Sequence, residues 1–381
     1  MHIYLDDTTL RDGEQTPGIS FNREEKLKIV KYLSALGIDE IEAGIPASGI
    51  KEIDDFRAIL ELDLGPRIIA WNRGLIKDIE KSILAGAKSV EISFPVSDIQ
   101  IKYKLSKDKK WIIEQLKRVL SYAKEKGIKY ISVGGEDSSR ADITFLREFI
   151  LTAKKYNANR FRFCDTLGIL DPFKTFEIIK QLIDYTDFDI EFHGHNDFGL
   201  ATANAIAAYK AGAKYINTTI MGLGERAGNT PLEEIAMYLY YIEKNDKIIN
   251  RLSNNILLLK EMLYYVSKIT RKPIHPQKPI FGDFMFTYES GIHANGVIKN
   301  SLNYEYINPE EFNMKRQIVI GKNSGRSMLK KILDDANLGY NEELLEILLN
   351  KCKNKAEADR KYLNEKDVIN IYNTMTKPVC N

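Results

Sequence analysis

Cysteine is scarce in this chain. Three occur in 381 residues, Cys164, Cys352 and Cys380. They lie far apart, are odd in number and form no C-x-x-C pair. That pattern excludes a disulfide framework and points to a reducing cytoplasm. An excess of one charge is also lacking. The formal net charge is +2, which gives no electrostatic footprint for nucleic acid or an anionic membrane surface. No apolar run approaches the ~20 residues that a membrane helix needs. The N-terminus, Met1 to Gln15, is charged and has no apolar stretch of the secretory type. A glycine-rich phosphate loop after an early strand, expected of an open doubly wound sheet, is absent too.

What is present is alternation. Hydrophobic residues make up 44% of the chain, enough to bury a sizeable core. Short β-rich runs at Ile3–Asp7, Ile38–Ala43, Arg67–Asn72, Ser89–Phe94, Tyr130–Val133, Arg160–Cys164, Asp189–His193 and Tyr215–Ile220 are separated by helical patterns. Asn22–Ala35, Trp111–Lys126, Asp142–Tyr156 and Pro172–Tyr185 carry apolar residues at helical spacing, the last opened by an Asp171 cap and a first-turn proline. Such βα units over about 240 residues predict an α/β fold, a closed (β/α)₈ TIM barrel. The pattern places the barrel at 1–245, a helical linker region at 246–280, and a mostly helical, loop-rich extension at 281–381. The charged tail from Lys351 carries no clear prediction of order.

In such a barrel chemistry collects where the strands end. Read strand by strand, those ends offer Arg11, Asp12 and Gln15; Glu42; Arg73; Glu136, Asp137 and Arg140; Asp165 and Thr166; Glu191, His193 and His195; and Glu225, Arg226 and Asn229. The sharpest local signal is Glu191-Phe-His193-Gly-His195. Strand alternation puts these three polar side chains on one face, so both imidazoles converge if that face is the interior. Two of only five histidines share this strand end. A carboxylate from Asp12 would complete a two-His-one-carboxylate set with open positions, suited to Mg, Mn, Zn, Fe or Co. The same set serves non-haem iron oxygenases. Taken singly, each of these residues has a plainer reading: a helix cap for Asp12, a surface ion pair for Arg11, a flexible turn for 222–229.

Longer motifs narrow the choice. Leu10-Arg-Asp-Gly-x-Gln15 followed by Lys26, and Ile190-x-x-His-x-His-Asn-Asp-x-Gly-x-Ala-x-Ala203, resemble the two signatures of the homocitrate and 2-isopropylmalate synthases. The resemblance continues through Gly224–Asn229, Glu289–His293, Tyr304–Pro309 and Gly321–Gly325. Within that family, 42–49, 70–73, 95–98, 134–140 and 160–168 are most similar to the homocitrate synthases of nitrogen fixation.

The resemblance implies a metal-dependent acyltransferase that condenses acetyl-CoA with a 2-oxo acid and converts acyl to alkyl on transfer. For this branch the acid is 2-oxoglutarate and the product homocitrate, a ligand of the nitrogenase iron–molybdenum cofactor. It implies that 281–381 is a lid and dimerisation subdomain of a homodimer whose partner subunit brings His293 and Tyr304 to the barrel mouth as candidate bases, with Glu136 and Glu191 as alternatives or relays. It places Asp12, His193, His195 and Asn229 at the metal, and Arg11, Gln15, Glu42, Arg73, Thr166 and Glu191 around the substrate. Compared with the homocitrate synthases of lysine biosynthesis, Leu75 and Ser132 stand where a histidine and an arginine would meet the distal carboxylate. Arg162, on the same strand face as Cys164 and Thr166, is the expected compensating cation, against the plainer alternative of a buried ion pair with Glu191 or Glu136. Fewer than about 60 residues follow Gly325, short for the ~100-residue regulatory domain of 2-isopropylmalate synthases. Synthesis of 2-isopropylmalate, citramalate or Re-citrate, and a lyase of the hydroxymethylglutaryl-CoA type, are the competing activities.

Overall fold

The computed structural model describes residues 3–376 and divides into two compact units, Met1–Pro273 and Ile274–Asn381. Cys380 lies outside the described residues; Cys164 and Cys352 are buried free thiols. In the first unit β1 (Tyr4–Asp7), β2 (Glu40–Glu42), β3 (Arg67–Arg73), β4 (Ser89–Pro95), β5 (Tyr130–Glu136), β6 (Arg160–Asp165), β7 (Ile190–Gly194) and β8 (Tyr215–Thr218) close a barrel in sequence order. Every neighbouring pair is parallel, and β8 returns to β1 with Asn217 opposite Asp6. All the predicted strands are found, with ends shifted by a few residues.

Around them lie α1 (Arg23–Ala35), α2 (Ile50–Leu60), α3 (Ile76–Leu84), α4 (Asp98–Tyr103), α5 (Lys109–Glu125), α6 (Ile143–Lys155), α7 (Pro172–Thr186), α8 (Ala201–Ala211), α9 (Leu232–Met237), α10 (Asp246–Leu252) and α11 (Ile256–Thr270). Local chemistry sets their ends. Asn22 and Glu25 form a reciprocal capping box, and Asp108, Asp142 and Asp171 each accept a first-turn N–H. Gly212 stops α8 at φ +111, a left-handed cap that suits glycine. The helical part of the segment expected to be a linker, up to Pro273, packs within the first unit. Ile248, Leu252, Leu259, Met262 and Leu263 are buried, and α11 packs on α1 with Tyr265 against Tyr32. Its apolar stripe needs a partner surface, and the barrel's own helical layer supplies it.

Strand parity divides the barrel by polarity. Outward positions such as Ile41, Val90, Ile131, Phe161, Phe163 and Phe192 form the greasy layer beneath the helices. Alternate positions carry charge. Arg160 on β6 pairs with Asp6 of β1, Glu40 of β2 and Glu191 of β7, a set of partners that only the barrel interior can bring together.

Asp7 is an exception on the outward side. It is fully buried, Thr9 N–H donates to Oδ1 at 3.0 Å, and Oδ2 has no hydrogen-bond partner. Burial pushes its carboxyl up to about 8. A raised acid stabilises the fold below its unfolded range and loses that contribution as pH climbs through the folded value. Asp7→Asn is therefore expected to flatten the decline between pH 5.5 and 9, leaving the variant roughly 2–5 kcal/mol more stable at pH 9. Denaturant titrations at both pH values test this, and identical pH dependence in both proteins would refute it.

The second unit contains β9 (Thr287–Tyr288) paired in parallel with β10 (Gln317–Ile318), and helices α12 (Gly291–Lys299), α13 (Arg326–Asp335), α14 (Glu342–Asp359) and α15 (Glu365–Thr376). Ala294, Met328, Leu329, Leu333, Leu345, Leu348 and Cys352 form its core. The charged stretch from Lys351 to Thr376 is helical apart from 360–364: Cys352, Ala356, Val368 and Tyr372 supply a buried stripe among the charges. No described helix is long and apolar enough to cross a membrane.

Candidate metal centre and active site

The polar strand ends of the first unit converge as parity requires. His193 closes β7 and His195 follows it, their Nε2 atoms 3.2 Å apart with the rings nearly perpendicular. Asp12, in the turn after β1, brings Oδ2 to 3.2 Å from His193 Nε2. One ligand atom from each of Asp12, His193 and His195 lies within 4.8 Å of the others, and all three side chains are buried. Three acceptor-capable atoms this close are a set that could hold a metal ion. Two nitrogens and one carboxylate oxygen fit a divalent first-row ion or Mg.

The electrostatics agree with that reading. Burial alone would raise the Asp12 carboxyl, but Arg11 and the two imidazoles outweigh it and hold it well below the usual range. Burial and the neighbouring His193 push His195 down to about 3, so it is a neutral imidazole at physiological pH. Neutral imidazole is the ligating form. The Nδ1 of His195 is buried without a hydrogen-bond partner. Asn229 donates from Nδ2 to Asp12 Oδ2 at 2.9 Å, while its buried Oδ1 has no partner. It supports the carboxylate and keeps one oxygen available beside it.

These side chains open onto a cavity of about 220 Å³ lined by Arg11, Asp12, Gln15, Trp71, Glu91, Ser93, Lys104, Glu136, Arg162, Cys164, Thr166, His193, His195 and Glu225. Arg11 is held by Glu42 at 2.5 Å, lies 3.4 Å from Asp12 and stacks over Trp71. Thr166 accepts the Asp137 N–H at 2.8 Å. Asp137 itself is buried in the left-handed region at φ 64, a costly conformation for a residue with a side chain. It is clamped by Ser97 and Arg140, each within hydrogen-bond reach. Gly168 sits at φ +59, where an added Cβ would fall 2.7 Å from the His195 carbonyl oxygen, so only glycine lets these two loops close on each other. Glu136 lines the cavity and takes Lys104 Nζ on both oxygens at 2.7 Å.

Several expected site residues take other places. Arg73 is largely exposed and forked onto Asp78 at 2.7 and 2.9 Å, so it is not among the cavity-lining residues. Glu42 and Glu191 lie beneath the cavity: Glu42 holds Arg11 and Arg162, and Glu191 bridges Arg160 and Arg162 at 2.8 and 2.9 Å. Glu191 is fully buried against two guanidiniums and is not among the cavity-lining residues. Arg162 is not a free cation either. It pairs with Glu42, Asp6 and Glu191 at 2.6–2.9 Å, with Glu91 at 3.9 Å. The plainer alternative, a buried ion pair with Glu191, is the arrangement observed. His293 and Tyr304 belong to the second unit, where their rings pack at 4.5 Å.

Inspection of strand ends misses Asp6, Glu40, Glu91, Ser93, Lys104 and Arg160. Of the strand residues among them, Glu40 and Arg160 open their strands, and Asp6, Glu91 and Ser93 sit within theirs. The signal was available in β6, where Arg160 and Arg162 alternate strictly with Phe161 and Phe163, since two inward arginines require several carboxylates at matching parity. Lys104, following α4, carries no such signal.

The profile of the HMGL-like family matches residues 2–254, and that of the homocitrate synthase post-HMGL domain matches 280–360. Over 97% of its length the chain is 43% identical to 2-isopropylmalate synthase 2 of Caldanaerobacter subterraneus, covering 95% of that protein. It is 42% identical to homocitrate synthase 1 of Nostoc, again over 97% of this chain and 96% of that protein. The chain belongs to the HMGL-like family, among its acetyl-CoA-dependent condensing synthases. Members of this group depend on a divalent metal, which matches the donor set already described. Full coverage of a 2-isopropylmalate synthase removes chain length as a way of separating the two activities. The solved hydroxymethylglutaryl-CoA lyase of Pseudomonas aeruginosa is similar in fold, with a TM-score of 0.63, 19% identity, and coverage of 71% of this chain and 94% of that one.

Proposed function

We propose that this member of the family condenses acetyl-CoA with 2-oxoglutarate and water to give homocitrate and CoA. The carrying observation is the convergence of Asp12, His193, His195 and Arg11 on one polar cavity of the barrel. A divalent ion held there supplies Lewis acidity toward the ketone and carboxylate oxygens of a 2-oxo acid. Arg11, kept in place by Glu42 and Trp71, adds a fixed positive charge where the ketone oxygen gains electron density. Gln15 and Thr166 orient the acid. A methyl proton of acetyl-CoA passes to a base, for which we assign His293 with Tyr304, supplied across a homodimer. The methyl carbon then bonds to the ketone carbon, the former ketone oxygen takes a proton, and water cleaves the thioester to release the CoA thiol and the new carboxylate. Glu136 is the reserve proton carrier, since of the two relay candidates, Glu136 and Glu191, it is the one that lines the cavity.

The choice of 2-oxoglutarate rests on the walls. Apart from Trp71 and Cys164, the lining side chains are charged or hydrogen-bonding, a poor surface for an isopropyl group and a good one for a second carboxylate. Lys104, whose ion pair is with Glu136, is the cation best able to accept an additional anion. The motif resemblance extends this reading to cytoplasmic supply of homocitrate for the nitrogenase cofactor. A metal-supplemented assay of thiol release across 2-oxoglutarate, 2-oxoisovalerate, pyruvate and oxaloacetate tests it. We expect kcat/KM for 2-oxoglutarate to lead by at least about tenfold, a 1.4 kcal/mol preference. A lead for 2-oxoisovalerate would reassign the chain as a 2-isopropylmalate synthase. In the same assay His293→Ala is expected to lose about 10²–10⁴-fold in kcat; full turnover would remove His293 from the mechanism.

A further inference from the structure

A metal-binding imidazole is controlled from its far nitrogen, because the group bonded there decides which nitrogen carries the proton. For His193 that group is Asn217. His193 Nε2 faces Asp12 and His195, while Nδ1 lies 2.6 Å from Asn217 Oδ1. An amide could present either its oxygen or its nitrogen, and here the far side decides. Asn217 Nδ2 donates to Asp6 Oδ2 at 3.2 Å. The same oxygen accepts from Arg160 at 3.0 Å and Arg162 at 2.9 Å. An oxygen surrounded by guanidinium donors admits only a further donor, so the Asn217 amino group must point at Asp6 and its carbonyl at His193. The register of β8 on β1, which sets Asn217 opposite Asp6, builds this contact into the barrel. Asn217 is 1% exposed and does not line the cavity, so it touches no substrate.

We propose that Asn217 is a positioning residue of the metal centre: anchored by Asp6 and the buried arginines, it holds the His193 proton on Nδ1 and leaves Nε2 to the ion. The inference rests on the reading that Asp12, His193 and His195 hold a metal. Its consequence is that metal affinity depends on a residue with no ligand atom near the ion, through the ionic layer beneath the cavity.

The test is a Zn²⁺ titration of metal-stripped protein against a chromophoric chelator. Asn217→Leu removes the acceptor at similar size. Asn217→Asp keeps an oxygen facing Nδ1, and a proton shared between the two acids preserves the contact to Asp6. We expect N217L to bind Zn²⁺ about 10–100-fold more weakly than the unaltered chain and N217D to stay within a few-fold. Folded N217L with unchanged affinity would overturn the proposal. Because N217L also strips Asp6 of a donor and can fail to fold, a second measurement uses the unaltered chain. Nitrogen-15 spectra of histidine-labelled, Zn²⁺-loaded protein read the His193 tautomer directly, with the resonance assigned by its loss in H193Q. A proton on Nδ1 supports the proposal, and a metal-bound or bare Nδ1 ends it. If the unaltered chain takes up no Zn²⁺ while folded, the metal reading itself fails, a result distinct from uptake that ignores Asn217.

Discussion

Replacing Asp12 with asparagine is expected to abolish turnover and to strip the protein of its divalent ion under conditions where the parent retains it. The substitution keeps the shape and the acceptor for Asn229 but removes the anionic member of the donor set. Loss of an outer-sphere partner costs metal affinity about 10–100-fold; losing a ligand that carries charge should exceed that. Turnover should fall by more than the ~10²–10³-fold typical of losing one oxyanion donor, since ion and substrate orientation go together. The metal-free protein adds a second readout. Arg11 and the imidazoles hold the Asp12 carboxyl far below its usual range. A depressed acid contributes stability above its unfolded range and loses it as pH falls toward the folded value. D12N without metal should therefore be less stable than the parent at pH 7, with the gap closing as the pH drops below about 4. Thermal melts with and without chelator, run beside thiol-release assays, check both parts. Activity within tenfold of the parent at saturating metal would sink the assignment of Asp12.

The second large effect concerns Arg162. If it read the distal carboxylate of the substrate, Arg162→Ala would penalise 2-oxoglutarate far more than 2-oxoisovalerate. Its partners indicate otherwise. Asp6, Glu42 and Glu191 lie within 2.9 Å of the guanidinium, with Glu91 a little beyond, and none of these carboxylates is exposed. Removing the cation leaves that anionic cluster with only Arg160 and Arg11 to compensate it in the barrel interior. Breaking a buried pair from one side costs about 3–5 kcal/mol, which at roughly 2–4 °C per kcal/mol for a unit of this size lowers Tm by about 6–20 °C. We expect R162A to melt early and to lose activity toward both 2-oxo acids in equal proportion. A selective rise in KM for 2-oxoglutarate with Tm unchanged would restore the specificity role. Glu42 links the two experiments. It pairs with both Arg11 and Arg162, which line the same cavity, so the two guanidiniums share one buried carboxylate.

Much of the site was legible because its signals are local. Strand parity depends on backbone geometry alone, so Glu191, His193 and His195 could be put on one face from their spacing. Leu10-Arg-Asp-Gly-x-Gln is a turn in which Arg11 and Asp12 leave together, and they reach the cavity together. Roles that depend on contacts across the barrel were not legible. Arg162 read as a cation for the substrate with a buried ion pair as its alternative, and Arg73 as an available cation at a strand end. One is enclosed by carboxylates from β1, β2, β4 and β7, and the other is captured by Asp78 at the start of α3. Lys104 follows a short helix whose only notable feature is its Ser97 cap. The helices at 246–273 read as a linker because their apolar stripe does not say what it will cover.

By itself, then, the sequence determined the periodicities: βα units enough to close a barrel, an interior face bearing histidines and charge, and helices that start and stop at encoded caps. These follow from local backbone and side-chain physics, which acts over a few residues. Only the tertiary structure decided which charges neutralise which. Arg11 is shared between Glu42 and the Asp12 of the donor set, Arg162 among Asp6, Glu42 and Glu191, and those partners come from across the barrel, at sequence separations that no local pattern encodes.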